Sequence, residues 1–117
     1  MKIEIDYDLT DEKINNILTD AVETGAIGYW ISGCYEIKRD ADLNVIEFEI
    51  RVENEENEKQ TKYLVNRDTI FEGIRRLFHK DFEISNRIKK QILDNDIDAE
   101  GTDCIIQTGL FNEIIYA

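Results

Sequence analysis

Proline is missing from the whole chain, histidine and tryptophan occur once each, and cysteine occurs twice. Without proline, the turns must be built by Gly, Asn and Asp. His79, Cys34 and Cys104 are three residues of the types that hold structural zinc, and such a site usually takes four. No metal is expected. No disulfide framework is expected either: neither cysteine belongs to a CxxC pair, so the reading is two buried thiols in a reducing compartment. A nucleophilic dyad needs a base beside the thiol, and Cys34, His79 and Cys104 stand far apart in the chain. There is no glycine-rich phosphate loop, because Gly25-Ala26-Ile27-Gly28 lacks both the lysine and the preceding strand. No carboxylate spacing marks a general acid–base pair. These absences predict a binding protein without a cofactor, not an enzyme. Long apolar runs are lacking as well: the longest is four residues, against the roughly 20 that cross a bilayer. The opening Met1-Lys2-Ile3-Glu4-Ile5-Asp6 alternates apolar and charged residues, unlike a signal peptide.

What is present is a domain's worth of apolar residues. The chain has 117 residues, 42% of them hydrophobic, which fits one domain over 1–117 with a real core. Net charge is −12. That field repels nucleic acid and anionic membranes, so neither is expected as a direct partner. The charge is uneven. Residues 67–90 carry seven basic and four acidic side chains, whereas residues 91–117 carry six acidic and no basic ones.

The hydrophobic pattern predicts an α+β fold. A small antiparallel sheet is made of an N-terminal strand, a central hairpin or meander and a C-terminal strand, and it packs against three to four helices. Ile3, Ile5, Tyr7 and Leu9 alternate with charged residues as the first strand. Thr10 caps a helix through Ile14, Ile17, Leu18, Ala21 and Val22, which Gly25 stops. Asp40–Asn44 is a turn. The strand from Val45 to Val52 puts Ile46, Phe48, Ile50 and Val52 on one face and Val45 on the other. Thr61–Val65 returns after a polar turn. Thr69-Ile70-Phe71-Glu72 reads as a capping box opening a second helix. A third helix covers Asn86–Leu93, a fourth runs from the cap Asp98 to about Gly109, and Glu113–Tyr116 forms the closing strand.

Four features carry functional readings. Asp94, Asp96 and Asp98 alternate like an EF-hand start, but Ala99 and Ile105 stand where that loop needs Gly and Glu, so helix capping by Asp98 is the better account. The basic stretch holds Arg75 and Arg76, whose forked guanidiniums suit phosphate, or else form a solvated face paired with acids. Tyr29 and Trp30 sit between glycines, placed either to stack on a base or to close a corner of the core. Glu47, Glu49, Glu53, Glu55, Glu56 and Glu58 line the central hairpin as a candidate acidic interaction surface.

The stretch Ile97-Asp98-Ala99-Glu100-Gly101-Thr102-Asp103-Cys104-Ile105-Ile106-Gln107, followed by Leu110-Phe111-Asn112-Glu113-Ile114-Ile115-Tyr116, resembles a family of short proteins of phages and prophages of Gram-positive bacteria. That family ends in an IDAE-x-AD-x-IIQ-x-x-LFGEIVYG pattern. Its EGG and YW signatures correspond to Glu23-Thr24-Gly25 and Tyr29-Trp30. Thr102, Asn112 and Ala117 depart from the pattern. The resemblance implies a phage protein acting in the host cytoplasm, where chains of this size often counter host defences. One expectation is a homo-oligomeric sponge that sequesters an anionic nucleotide signal of the cyclic ADP-ribose or cyclic oligonucleotide kind. Tyr29, Trp30, Arg75, Arg76, Asp103 and Gln107 would form its ligand site. The alternatives are an acidic mimic of DNA that blocks a basic host defence protein in the anti-CRISPR manner, and a phage structural or accessory protein.

Overall fold

The computed structural model describes residues 2–3, 7–54, 56–80 and 83–116. Two short strands, β1 (Lys2–Ile3) and β2 (Tyr7–Asp8), pair antiparallel and lead into helix α1 (Asp11–Glu23). A three-stranded antiparallel meander follows: β3 (Gly33–Arg39), β4 (Val45–Glu53) and β5 (Gln60–Asn66), with β4 in the middle. Helices α2 (Arg67–Phe78), α3 (Glu83–Leu93) and α4 (Ala99–Phe111) complete an α+β fold. The predicted single N-terminal strand is instead a separate two-stranded ribbon, and Ile5 lies outside the described residues.

Local chemistry accounts for most boundaries. Thr10 caps α1 by accepting from the Lys13 N–H at 3.2 Å, with Asp11 and Glu12 in the first turn where the helix dipole favours them. Ile14, Ile17, Leu18 and Ala21 form its buried stripe, and Gly25 turns the chain out with φ +67°. Asp98 caps α4 through the Gly101 N–H at 2.8 Å, and Glu100 pairs with Arg87, so the acidic run from Asp94 serves a helix start.

Helix α2 starts one turn earlier than predicted. Asn66, the last residue of β5, is its N-cap, and its side chain accepts from the Asp68 and Thr69 N–H groups. Thr69 closes the box from the third position, accepting from the Asn66 N–H at 3.2 Å. Asn caps as well as Thr does, so the earlier box wins because it lets the strand feed directly into the helix. Glu72 is thereby free of capping and pairs with Arg75 at 2.7 Å and Arg76 at 3.5 Å.

The sheet turns Phe48, Ile50, Val52 and Val65 into the core. The start of β4 departs from simple alternation. Val45 is fully buried and Ile46 is 39% exposed, because the register shifts between β3 and β4 near Lys38. The Val45 N–H donates to Thr19 Oγ1 of α1 at 2.9 Å, which ties the strand's first residue to the helix.

Helix α4 is the centre of the molecule. Every residue from Gly101 to Thr108 is buried, and α4 packs closely on α2 through Gly73 and Gly109. Its C-terminal end is held by α2 and the residues after it: Arg76 donates to the carbonyls of Thr108 (3.0 Å) and Gly109 (2.9 Å), and Lys80 donates to that of Asn112 (3.0 Å). Cations at a helix C-terminus are where the dipole favours them.

The β3–β4 turn is held by Asp40, whose Oδ1 accepts from the Asp42 and Asn44 N–H groups, each at 3.0 Å. Leu43 stands in it with φ 67° and 70% exposure, a conformation that an L side chain adopts at a cost. Leu43→Gly is expected to raise stability by about 0.5–1 kcal/mol. A urea midpoint that falls instead would show that the leucine packs against something.

Candidate functional site

Four of the six predicted ligand residues meet. The turn Gly25–Trp30 follows α1, with the Gly28 N–H bonded to the Gly25 carbonyl at 2.9 Å and Ile27 buried beneath it. This carries Tyr29 and Trp30 over α4, where Asp103 and Gln107 lie one helical turn apart. The Trp30 Nε1–H donates to Asp103 Oδ1 at 2.8 Å, and Gln107 Nε2 donates to the same oxygen at 2.9 Å. The Tyr29 hydroxyl donates to Asp103 Oδ2. Asp103 is buried, and these three donors replace the water that a carboxylate loses on burial.

Gln107 spends the rest of its amide on the segment after α4. Its Oε1 accepts from the N–H groups of Ile115 (2.9 Å) and Tyr116 (2.8 Å), and its Nε2 donates to the Tyr116 carbonyl at 3.1 Å. Residues 113–116 therefore do not form the predicted closing strand. The Gln107 side-chain amide supplies backbone partners of the kind that a neighbouring strand would have supplied. The Tyr116 ring stacks on Trp30 with centroids 4.9 Å apart and planes at 6°, and Phe111 meets Trp30 edge-on at 5.9 Å. Tyr63 of β5 then packs edge-on against Phe111 at 5.2 Å. Tyr116 and Tyr63 were not among the predicted site residues. The sequence offers no signal linking them to Trp30, since their contacts are wholly tertiary.

Arg75 and Arg76 do not join this cluster as a phosphate clamp. Both engage Glu72, and Arg76 also caps α4. The hydrogen bond from Arg75, with the charges of both arginines, pulls the Glu72 carboxyl below the usual range against a smaller opposing effect of burial.

Tyr29 is 58% exposed, while its hydroxyl donates inward to Asp103. Burial first, then the hydrogen bond and negative charge of Asp103, push its ionisation up to about 12. An unfolded tyrosine titrates near 10. The neutral hydroxyl is thus favoured in the native state. Its stabilising effect is complete below about pH 10 and is lost as pH rises toward about 12. Tyr29→Phe should flatten the alkaline part of the stability–pH curve, measured by denaturant titration at successive pH values. An unchanged alkaline slope would remove Tyr29 as its source.

Beside this cluster opens a cleft of about 760 Å³, lined by Tyr29, Trp30, Ile31, Ser32, Val52, Glu53, Asn54, Glu58, Ile115 and Tyr116. A second cleft of about 530 Å³ shares Val52, Glu53, Asn54 and Tyr116 and adds Glu56, Thr61 and Tyr63. Among the described residues neither lining holds a Lys or Arg. In the β4–β5 turn, Asn54 Oδ1 accepts from the Glu56 N–H, and Asn57 Oδ1 from the Lys59 N–H.

The six predicted acidic residues divide accordingly. Glu47 pairs with Lys38 at 2.8 Å, and Glu49 with Arg51 at 3.0 Å. The hydrogen bond from Lys38 holds the Glu47 carboxyl below its ordinary range. Glu53, Glu56 and Glu58 are exposed and make no ion pair among the described residues, and Glu55 lies outside them. No group of three or more His, Cys, Asp or Glu among the described residues is placed to hold a metal ion. No described helix is long and apolar enough to cross a membrane.

No protein-family model matches the chain, and no curated protein or solved structure is significantly similar to it.

Proposed function

We propose that this protein is a non-catalytic binding module that captures a basic partner, and that it acts as a phage counter-defence protein by presenting carboxylates in place of DNA phosphates to a host DNA-binding effector. The observation that carries this reading is the pair of neighbouring clefts at the β4–β5 turn: Glu53 and Glu58 beside Tyr29, Trp30 and Tyr116 in one, Glu53 and Glu56 beside Tyr63 and Tyr116 in the other, with no ion pair to these carboxylates and no Lys or Arg in either lining among the described residues. A guanidinium or ammonium group entering either meets both carboxylates and ring faces, the two surfaces that attract such cations most strongly. The phage context rests on the sequence resemblance. The site of action would be the host cytoplasm.

The test is competition between this protein and duplex DNA for purified DNA-binding defence effectors, over a range of salt. Inhibition should weaken as salt rises. The triple variant Glu53→Lys/Glu56→Lys/Glu58→Lys should inhibit about 100-fold less well, by the size of close charge couplings across interfaces. Full inhibition by that variant would sink the proposal.

Sequestration of a nucleotide signal retains one observation in its favour, the exposed Tyr29 beside the stacked Trp30–Tyr116 pair. Against it, Arg75 and Arg76 are committed elsewhere, and the cleft's own charge repels phosphate. A thermal-shift panel of cyclic nucleotides separates the two: a clear shift with one of them would restore the sponge.

A further inference from the structure

One wall serves both clefts. Tyr116 lines each of them, and Ile115 joins it in the larger. Among the described residues, 113–116 make no hydrogen bond to another backbone group. Three of their backbone polar groups are held by one side chain instead. Gln107 Oε1 accepts from the N–H groups of Ile115 and Tyr116, and Nε2 donates to the Tyr116 carbonyl, which also accepts from the Tyr29 hydroxyl at 3.2 Å. Gln107 is fully buried and lines neither cleft. Its amide can face only one way. A carboxylate accepts and does not donate, so Asp103 Oδ1 takes the nitrogen, at 2.9 Å, and the oxygen is left for the two N–H groups. The backbone held in this way presents the Tyr116 ring flat against Trp30, whose own Nε1–H is tied to the same Asp103 oxygen.

We infer that Gln107 is the positioning residue of both clefts: it meets no ligand, and it sets where the shared Tyr116 wall stands. The inference rests on the reading that these clefts receive a cation. Side-chain chemistry explains why a glutamine stands there. One planar amide answers two N–H donors, a carbonyl and a carboxylate at once, and no other uncharged side chain of that reach offers both an acceptor and two donors. Methionine keeps the length and the buried bulk but makes none of these bonds.

The experiment compares Gln107→Met with wild type in the full chain. NMR reads contacts between the Trp30 and Tyr116 rings, and the amide shifts of Ser32 and Asn54 follow titration with N-acetyl-argininamide, a guanidinium probe. In Gln107→Met the ring contacts should disappear and the probe's affinity should fall about tenfold, the effect of losing one cation–ring contact. The packing of α2 on α4 at Gly73 should persist. Tyr116→Ala should weaken the probe by as much. Adding Gln107→Met to Tyr116→Ala should cost nothing further, because Gln107 acts through that ring. If Gln107→Met does not fold, Ile115→Pro gives the same reading: at a half-exposed position it deletes one of the two N–H groups, and it should weaken the ring contacts. Ring contacts as strong as in wild type, in whichever of these two variants folds, overturn the inference. So do losses that multiply in the double variant. A wild-type protein that binds no probe overturns cation capture instead, and the ring contacts of the variants then decide whether Gln107 sets the wall.

Discussion

Alanine at Gly73 is expected to destabilise the protein by about 3 kcal/mol or more. Helix propensity alone argues the other way, because alanine is better than glycine inside a helix by about 1 kcal/mol. Sterics decide. A Cβ at Gly73 would fall on the carbonyl oxygen of Ile105, 3.0 Å from its carbon and 3.1 Å from the Ile105 Cγ2. The obstruction is α4 backbone, in the stretch where every residue is buried, so no side-chain rotation relieves it. The two helices must separate. Gly109 makes the reciprocal contact, with its missing Cβ directed at the carbonyl of Thr69 in α2. Gly109→Ala should therefore cost a similar amount. The double variant should cost less than the sum, because one separation of the helices admits both methyl groups. Gly25→Ala is the control. A Cβ there meets nothing within 4 Å, so only the backbone strain at φ +67° is paid, about 1 kcal/mol. Chemical denaturation followed by circular dichroism ranks the three. A Gly73→Ala variant as stable as the wild type would mean that α2 and α4 do not approach so closely.

The second large effect is expected at Asp103. Asp103→Ala strands the Trp30 Nε1–H and one Gln107 N–H in a region without solvent, at about 1–3 kcal/mol for each buried donor. A total loss of about 3–4 kcal/mol follows from those two groups together. Asp103→Asn keeps one carbonyl oxygen for Trp30 and Gln107, and its new amide can donate to a rotated Tyr29 hydroxyl. It should cost about 1 kcal/mol. Near-ultraviolet circular dichroism of Trp30 and denaturation midpoints report both. The order is the diagnostic part: equal losses for Ala and Asn would mean that the negative charge, and not the acceptor oxygen, holds the cluster.

These two effects differ in how far the sequence foretells them. Asp103 and Gln107 stand out in the sequence through the resemblance of the C-terminal stretch, and Tyr29 and Trp30 through the glycines around them; the structure brings these four together. Their common meeting point was not legible. Gly73 looks like an ordinary helical glycine, and only the passage of Ile105 alongside it shows why alanine fails there. Arg76 looks like a phosphate-binding residue, yet its guanidinium lies on the last carbonyls of a helix far along the chain. Thr69 takes part in a capping box as its motif suggests, but from the third position, because Asn66 offers an equally good cap where strand meets helix.

Short-range chemistry was enough for the α+β class, the meander, the caps of α1 and α4, and the stop at Gly25. Each depends on contacts within a few residues, and those residues can be read in a row. The composition likewise set the acidic character. Which acids remain unpaired, which cations are spent, and where the segment after α4 comes to rest were decided by packing. Glu47 and Glu49 pair with Lys38 and Arg51, while Glu53, Glu56 and Glu58 make no ion pair among the described residues and line two clefts that Tyr116 helps to wall. Partners of that kind are chosen by which elements lie side by side, and a pattern repeating every two or four residues carries no record of them.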